Sequence, residues 1–169
     1  MEIRELTEAD ATEYWALRLR ALREEPEAFG SSYEESRDRP VAQAAERLRE
    51  MRAAGDFMLG AYEDGQLVGI AAFVRETGLK NRHNSNIYQM YVAPEARGKG
   101  YGRALVEAVI ARAHALDGVE RIALAVVSTT TAARALYTHL GFMTYGVRPA
   151  ALKLPDGRYL DEDYMILSL

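Results

Sequence analysis

Two hydrophobic periodicities alternate along this chain. Glu2–Leu6 is short and mixed enough for an edge strand, and Thr7-Glu8-Ala9-Asp10 follows it as a near capping box with aspartate at the place of glutamate. Tyr14, Leu17, Arg18, Ala21 and Leu22 then recur at helical spacing up to Pro26. Trp15 stands a step off that stripe, as a core or rim residue. Phe29–Glu35 is polar and lacks helical periodicity. Pro40 opens a second helix, an Ala/Arg/Glu-rich run to Met51 that Gly55-Asp56 closes. The period changes at Phe57. Phe57–Tyr62 and Gln66–Val74 read as strands, and the Asp64-Gly65 pair between them is a hairpin signal. Residues 75–86 form a polar connection. Ile87–Val92 is again strand-like, with Pro94 breaking it. Leu105, Val106, Val109, Ile110, Ala113 and Leu116 predict a helix stopped at Gly118. Arg121–Val127 predicts a buried strand. Ala133, Leu136, Tyr137 and Leu140 predict a short helix ended by Gly141. A strand, helix and strand in the order 87–127 form a parallel right-handed crossover.

The glycine-rich stretch between the strand and helix of that crossover, Arg97-Gly98-Lys99-Gly100-Tyr101-Gly102, carries the chemistry. Glycines let backbone approach a ligand closely, and the free N–H groups of a first helical turn attract anions. Arg97, Lys99 and Arg103 add positive charge, so the stretch reads as a pyrophosphate site. It is not a Walker loop, because Lys99 is followed by Gly100 and not by Ser or Thr. It is not a dinucleotide fingerprint, because the third glycine would fall at Arg103.

Composition narrows the setting. The chain has 169 residues, 49% hydrophobic and 27% charged, which suits one domain, 1–169, with no internal linker or repeat. A net charge of −4 argues against a general nucleic-acid footprint. There is no cysteine, hence no disulfide, thiolate metal site or cysteine nucleophile. Three scattered histidines, His83, His114 and His139, make a poor metal set, so no metal is expected. The charged start Met1–Glu5 is not read as a secretory signal, and no apolar run approaches the ~20 residues of a membrane span. A cytoplasmic protein is the expectation. Arginine far outnumbers lysine, present only at 80, 99 and 153, which hints at a GC-rich bacterial genome.

The spacing R-x-x-G-x-G over Arg97–Gly102, directly after Tyr91-Val92-Ala93-Pro94, resembles motif A of the GNAT superfamily of acetyl-CoA-dependent N-acetyltransferases. Leu136-Tyr137-Thr138-His139-Leu140-Gly141-Phe142 is similar to motif B of the same family. Ile3–Leu22 resembles its opening strand and helix. Phe142–Leu169 resembles its closing hairpin, with Pro155-Asp156-Gly157 as the turn. Arg18–Leu22, Ala28–Tyr33 and Asp161–Met165 resemble an uncharacterised bacterial subgroup. The resemblance implies an α/β (α+β) GNAT fold: a central mixed, mostly antiparallel twisted sheet of about six to seven strands flanked by about four helices.

It also implies acetyl transfer from acetyl-CoA to a primary amine of a small molecule, by direct attack through a tetrahedral intermediate. Backbone groups of Met90, Tyr91 and Val92 would hold the pantetheine arm. The pyrophosphate would sit on Gly98, Lys99, Gly100, Tyr101, Gly102 and Arg103, behind Arg97. A backbone N–H beside the splayed strand would polarise the thioester carbonyl, a role often worth ~3 kcal/mol. Tyr137 would protonate the leaving thiolate, a transfer costing roughly 2 kcal/mol in water. Two positions depart from the family. Thr130 stands where motif B usually opens with asparagine, and can cap the helix instead. The strand glutamate that often serves as base has no counterpart in Ser85–Val92, its place falling near Asn86. Tyr33, Glu34, Glu35, His83, Asp161 and Glu162 are the other base or substrate candidates, with solvent as an equal choice. A protein or peptide N-acetyltransferase and a non-catalytic acyl-CoA sensor are the alternatives. No nucleic-acid or membrane partner is expected, and homodimerisation, common in the family, is left open.

Overall fold

The computed structural model describes residues 1–169. Seven strands form one sheet in the order β1-β2-β3-β4-β5-β7-β6. They are β1 (Glu2–Glu5), β2 (Phe57–Glu63), β3 (Gln66–Arg75), β4 (Asn84–Val92), β5 (Arg121–Val127), β6 (Met143–Lys153) and β7 (Tyr159–Ser168). Every neighbouring pair is antiparallel except β4 with β5. β2 and β3 run nearly continuously apolar because both faces of the sheet are covered there, so strict alternation is lost.

The helices are α1 (Ala11–Glu24), α2 (Tyr33–Ser36), α3 (Val41–Ala54), α4 (Tyr101–His114) and α5 (Thr131–His139). α1 and α3 cover one face, where Tyr14, Leu17 and Leu48 pack with Met58, Ile70, Ala72 and Tyr91. α4 and α5 cover the other, where Leu105, Val109 and Tyr137 pack with Phe57, Phe73, Ile122 and Met165. Asp10 satisfies the Thr7 N–H at 2.7 Å, and Gly55 ends α3 in the left-handed region at φ 83°, both as the sequence predicts.

Three expectations need correction. Residues 84–86 are strand, not connection: Val74 pairs with Asn86 and Arg75 with Ser85. Their polarity is tolerated because the buried Ser85 hydroxyl donates to the Arg121 carbonyl at 2.7 Å. Within the polar segment 29–35, Ser32 and Glu35 form a capping box that nucleates the one-turn helix α2. α4 stops at His114, short of Leu116, and Gly118 turns the chain at φ 71° into β5.

Candidate active site

β4 and β5 pair over three residues only, Asn84↔Arg121, Ser85↔Ile122 and Asn86↔Ala123. Beyond Asn86 the strands part. On its other edge β4 stays paired with β3, but a one-residue bulge shifts the register, since Ile70 opposes Tyr91 while Ala72 opposes Tyr88. Gln89 sits in that bulge at φ 54°, an unfavourable region for a residue with a Cβ. The buried Tyr14 hydroxyl on α1 donates to Gln89 Oε1 at 2.9 Å and holds it there. The divergence opens a cleft of about 1080 Å³ through the sheet, walled by residues 87–92 on one side and 124–127 on the other.

At one end of the cleft lies the glycine-rich turn. Gly98 and Gly100 have φ 75° and 89°, which glycine adopts without penalty. The backbone amides of Gly98 through Arg103 donate to no other backbone group. They form a run of donors ahead of a 14-residue helix, and the polarity of that helix favours an anion. A Cβ on Gly102 would meet Met90 and Leu136 at 3.6 Å and Val92 at 3.7 Å, side chains that line the cleft. The bare glycine therefore keeps the floor open.

The three cations of this stretch are less available than the sequence implies. Arg97 donates to the Val92 carbonyl at 3.0 Å and to Glu25 at 2.8 Å, bracing the turn. Arg103 pairs with Glu107 at 2.7 Å. Lys99 is turned out of the cleft to Glu63 on β2, at 2.9 and 3.0 Å. What this turn offers an anion is therefore chiefly backbone N–H groups.

Across the cleft, α5 presents Tyr137, which packs edge-on to Phe142 at 5.8 Å and lines the gap with Leu136, Ala133 and Thr130. Burial pushes the Tyr137 hydroxyl well above the usual tyrosine value. Thr130 is the N-cap residue of α5, but its side chain makes no capping bond, so its hydroxyl is not committed to the helix end. The helix is tied down instead by Arg134, whose Nε lies 2.7 Å from the buried Asp163 carboxylate; Ser128 also donates to Asp163.

The cleft lining also includes Arg18 on α1, Phe29, Arg47 on α3, Tyr88 on β4, and Glu162 and Tyr164 on β7. Of the base candidates only Glu162 lines the cleft. Glu35 is consumed by its capping box with Ser32, and Tyr33 and Glu34 lie beside it on α2, outside the cleft lining. Asp161 accepts the Ala150 N–H at 2.8 Å, pinning a bulge in β6. His83 lies at the paired end of β4, where its carbonyl accepts from Glu120 and Arg121. Asn86 is bonded to Glu76 at 2.8 Å, a carboxylate beside β4 that sequence reasoning missed because it lies just past the end of β3. Arg18 and Arg47 were missed as site residues too. The available signal was an arginine inside the apolar stripe of the first helix.

A parallel strand–helix–strand crossover thus splays around a glycine-rich helix start. The profile of the Acetyltransferase (GNAT) family matches residues 16–142, and the chain belongs to that family. Its fold superimposes with a TM-score of 0.92 on a GNAT-family acetyltransferase from Streptococcus pneumoniae, at 22% identity over 99% of both chains. A phosphinothricin acetyltransferase from Sinorhizobium meliloti, solved in complex with acetyl-CoA, is 25% identical with a TM-score of 0.85, over 99% of this chain and 88% of that one. The L-methionine sulfoximine/L-methionine sulfone acetyltransferase of Pseudomonas aeruginosa is 31% identical over 105 residues, 62% of this chain and 60% of the relative. The chain spans between 26% and 60% of the length of the curated relatives it matches.

Proposed function

We propose that this protein transfers the acetyl group of acetyl-CoA to a primary amine of a small molecule. The observation that carries this reading is the run of unpartnered amides, Gly98–Arg103, at the mouth of a cleft that ends between two unpaired strand edges. The residues fit the donor. Six adjacent N–H groups suit a pyrophosphate, Gly102 leaves room for an arm beside Met90 and Val92, and the free edge of β4 can bond that arm as a strand would.

Acetyl-CoA supplies an acetyl thioester, whose carbonyl carbon accepts the amine's lone pair and whose sulfur departs as thiolate. The chain's residues do the rest. A β4 N–H beside the Gln89 bulge would stabilise negative charge growing on the carbonyl oxygen. Tyr137 keeps its proton throughout the working pH range and delivers it to the sulfur. The thiolate leaves into the same water-poor pocket, where its own proton affinity rises alongside that of the phenol. Glu162, facing the cleft from β7, takes the proton the amine must lose. This reading sets the protein in the cytoplasm, where the donor is at hand.

The test is thiol release across a panel of amines and peptides, comparing wild type with Tyr137→Phe and Glu162→Gln. Release with small amines, falling ~100-fold or more in Tyr137→Phe, supports the reading. Peptides preferred over every small amine would transfer the function to protein acetylation. Binding of acetyl-CoA with silence across the whole panel would make the chain a sensor.

A further inference from the structure

Arg18 occupies a position on α1 where an aliphatic residue would satisfy the stripe. It is 7% exposed. Its guanidinium lies over the Phe29 ring, 4.5 Å from the centroid, and its Nη1 is buried with no hydrogen-bond partner. No carboxylate of the chain bears on it; the groups that do are Tyr14 and a second cation, Arg47 on α3. Both arginines line the cleft. A buried guanidinium without a counter-charge is among the costlier arrangements a protein can keep. Two cations facing one gap compound the cost, because they repel each other across it.

The β7 part of the lining carries the complementary sign. Glu162 pairs in the sheet with Val127 and faces the cleft. The acceptor side of the cleft is therefore polarised, with guanidinium on the helix wall and carboxylate on the strand wall. Phe29 covers one face of the Arg18 guanidinium, and Nη1 on its planar edge has no partner within the chain. That edge matches a planar two-oxygen anion, and carboxylate is the group that fits it bidentately.

We infer that the acceptor is a free amino acid or close amino carboxylate, its carboxylate held by Arg18 with Arg47 at the rim and its amine turned toward Glu162. The inference rests on the acetyl-transfer reading for the chemistry but not for the binding. A ligand of this shape neutralises the buried cation and presents an amine to the base in one docking event. It also explains why Arg18 is left without an acidic partner, whereas Arg97 and Arg103 around the glycine turn are each given one.

The probes are the common L-amino acids, each with its carboxamide and its decarboxylated amine, and aminoalkyl phosphonates as a second anion. Binding is measured by calorimetry on the CoA-loaded protein, and turnover by thiol release. The expected result is at least one amino acid preferred ~100-fold or more over its own carboxamide and amine. In Arg18→Gln that ratio collapses to within ~3-fold, Arg18→Lys falls between because it restores charge without the fork, and Arg47→Gln raises KM ~3–10-fold. Circular dichroism and CoA binding check that each variant folds. Should Arg18→Gln fail to fold, the exposed Arg47→Gln and the conservative Arg18→Lys decide the matter. Carboxamides or amines equal to the acids, phosphonates preferred, or a carboxylate preference that survives the loss of Arg18 would each overturn the inference. Silence in turnover alone defeats the acetyl-transfer reading, while carboxylate-selective, Arg18-dependent binding would still uphold this one. No carboxylate-selective binding across the panel refutes it.

Discussion

Gly102 offers a separation of stability from binding that few positions allow. It lies in the first turn of α4, outside the left-handed region, and an added Cβ would stand 3.6–3.7 Å from Leu136, Met90 and Val92. Those are ordinary van der Waals separations, so Gly102→Ala needs no rearrangement. Replacing glycine by alanine in a helix lowers the entropy of the unfolded chain and stabilises by up to about 1 kcal/mol. For a domain of this size that corresponds to a rise of ~2–4 °C in Tm. The same methyl sits on the floor of the cleft, where it would push a bound pyrophosphate or pantetheine off the amides of the turn. Losing one hydrogen bond to a charged group costs ~1.5–3 kcal/mol, or roughly 10–100-fold in affinity for CoA. Differential scanning calorimetry and isothermal titration with CoA read the two effects separately. The reasoning is refuted if Gly102→Ala binds CoA within twofold of wild type, because the ligand then does not pass over this helix start. A Tm lowered by several degrees would show instead that the site has no room. Gly100→Ala is the contrast: at φ 89° a Cβ costs ~1–2 kcal/mol, so Tm should drop.

The other expectations concern groups around the cleft. In Tyr137→Phe the buried ring stays, so unfolding should shift by less than ~0.5 kcal/mol while thiol release collapses; equal losses of both would make Tyr137 a packing residue. Because its hydroxyl is held above the ordinary tyrosine value, Tyr137 should contribute no falling limb to the rate profile up to pH ~10. Tyr14→Phe removes the tether on Gln89 and should cost about 1 kcal/mol in urea unfolding, with a larger fall in turnover as the bulge relaxes; turnover tracking stability alone would deny the bulge a role. Asp10 is held at about 2, chiefly by its hydrogen bonds from Arg4 and then from Thr7. Its folded value lies below the unfolded one, so its contribution is full above pH ~4 and lost as pH falls toward ~2. With Arg4 half-exposed, about 1 kcal/mol survives screening. Asp10→Asn should show that deficit at pH 7, and its stability curve should meet wild type near pH 2.

Periodicity and turn chemistry carried most of the architecture. The apolar runs of β2 and β3, the Asp64-Gly65 hairpin and the two motifs stand where the sequence placed them. Local signals could not reveal pairings between distant residues. Ser85 and Asn86 look like loop because their polar atoms are satisfied by Arg121 and Glu76, partners visible only after folding. Arg97 and Lys99 look like free charge until Glu25 and Glu63 are brought to them. The base candidates shared the same weakness. Residue type and rough position point to all of them, and only Glu162 reaches the cleft, because strand register with Val127 decides which way β7 points its side chains.

The three-residue contact between β4 and β5 has a consequence for how this protein ages. An open strand border normally lies on a protein's rim, where charge or a covering loop guards it. Here two such borders face each other in the interior, along residues 87–92 and 124–127, and each is able to recruit foreign chain. A molecule seated in the wedge bonds to backbone that would otherwise be sticky. Occupancy should therefore govern shelf life: stored with CoA, the protein should resist precipitation longer than its gain in melting temperature alone would explain.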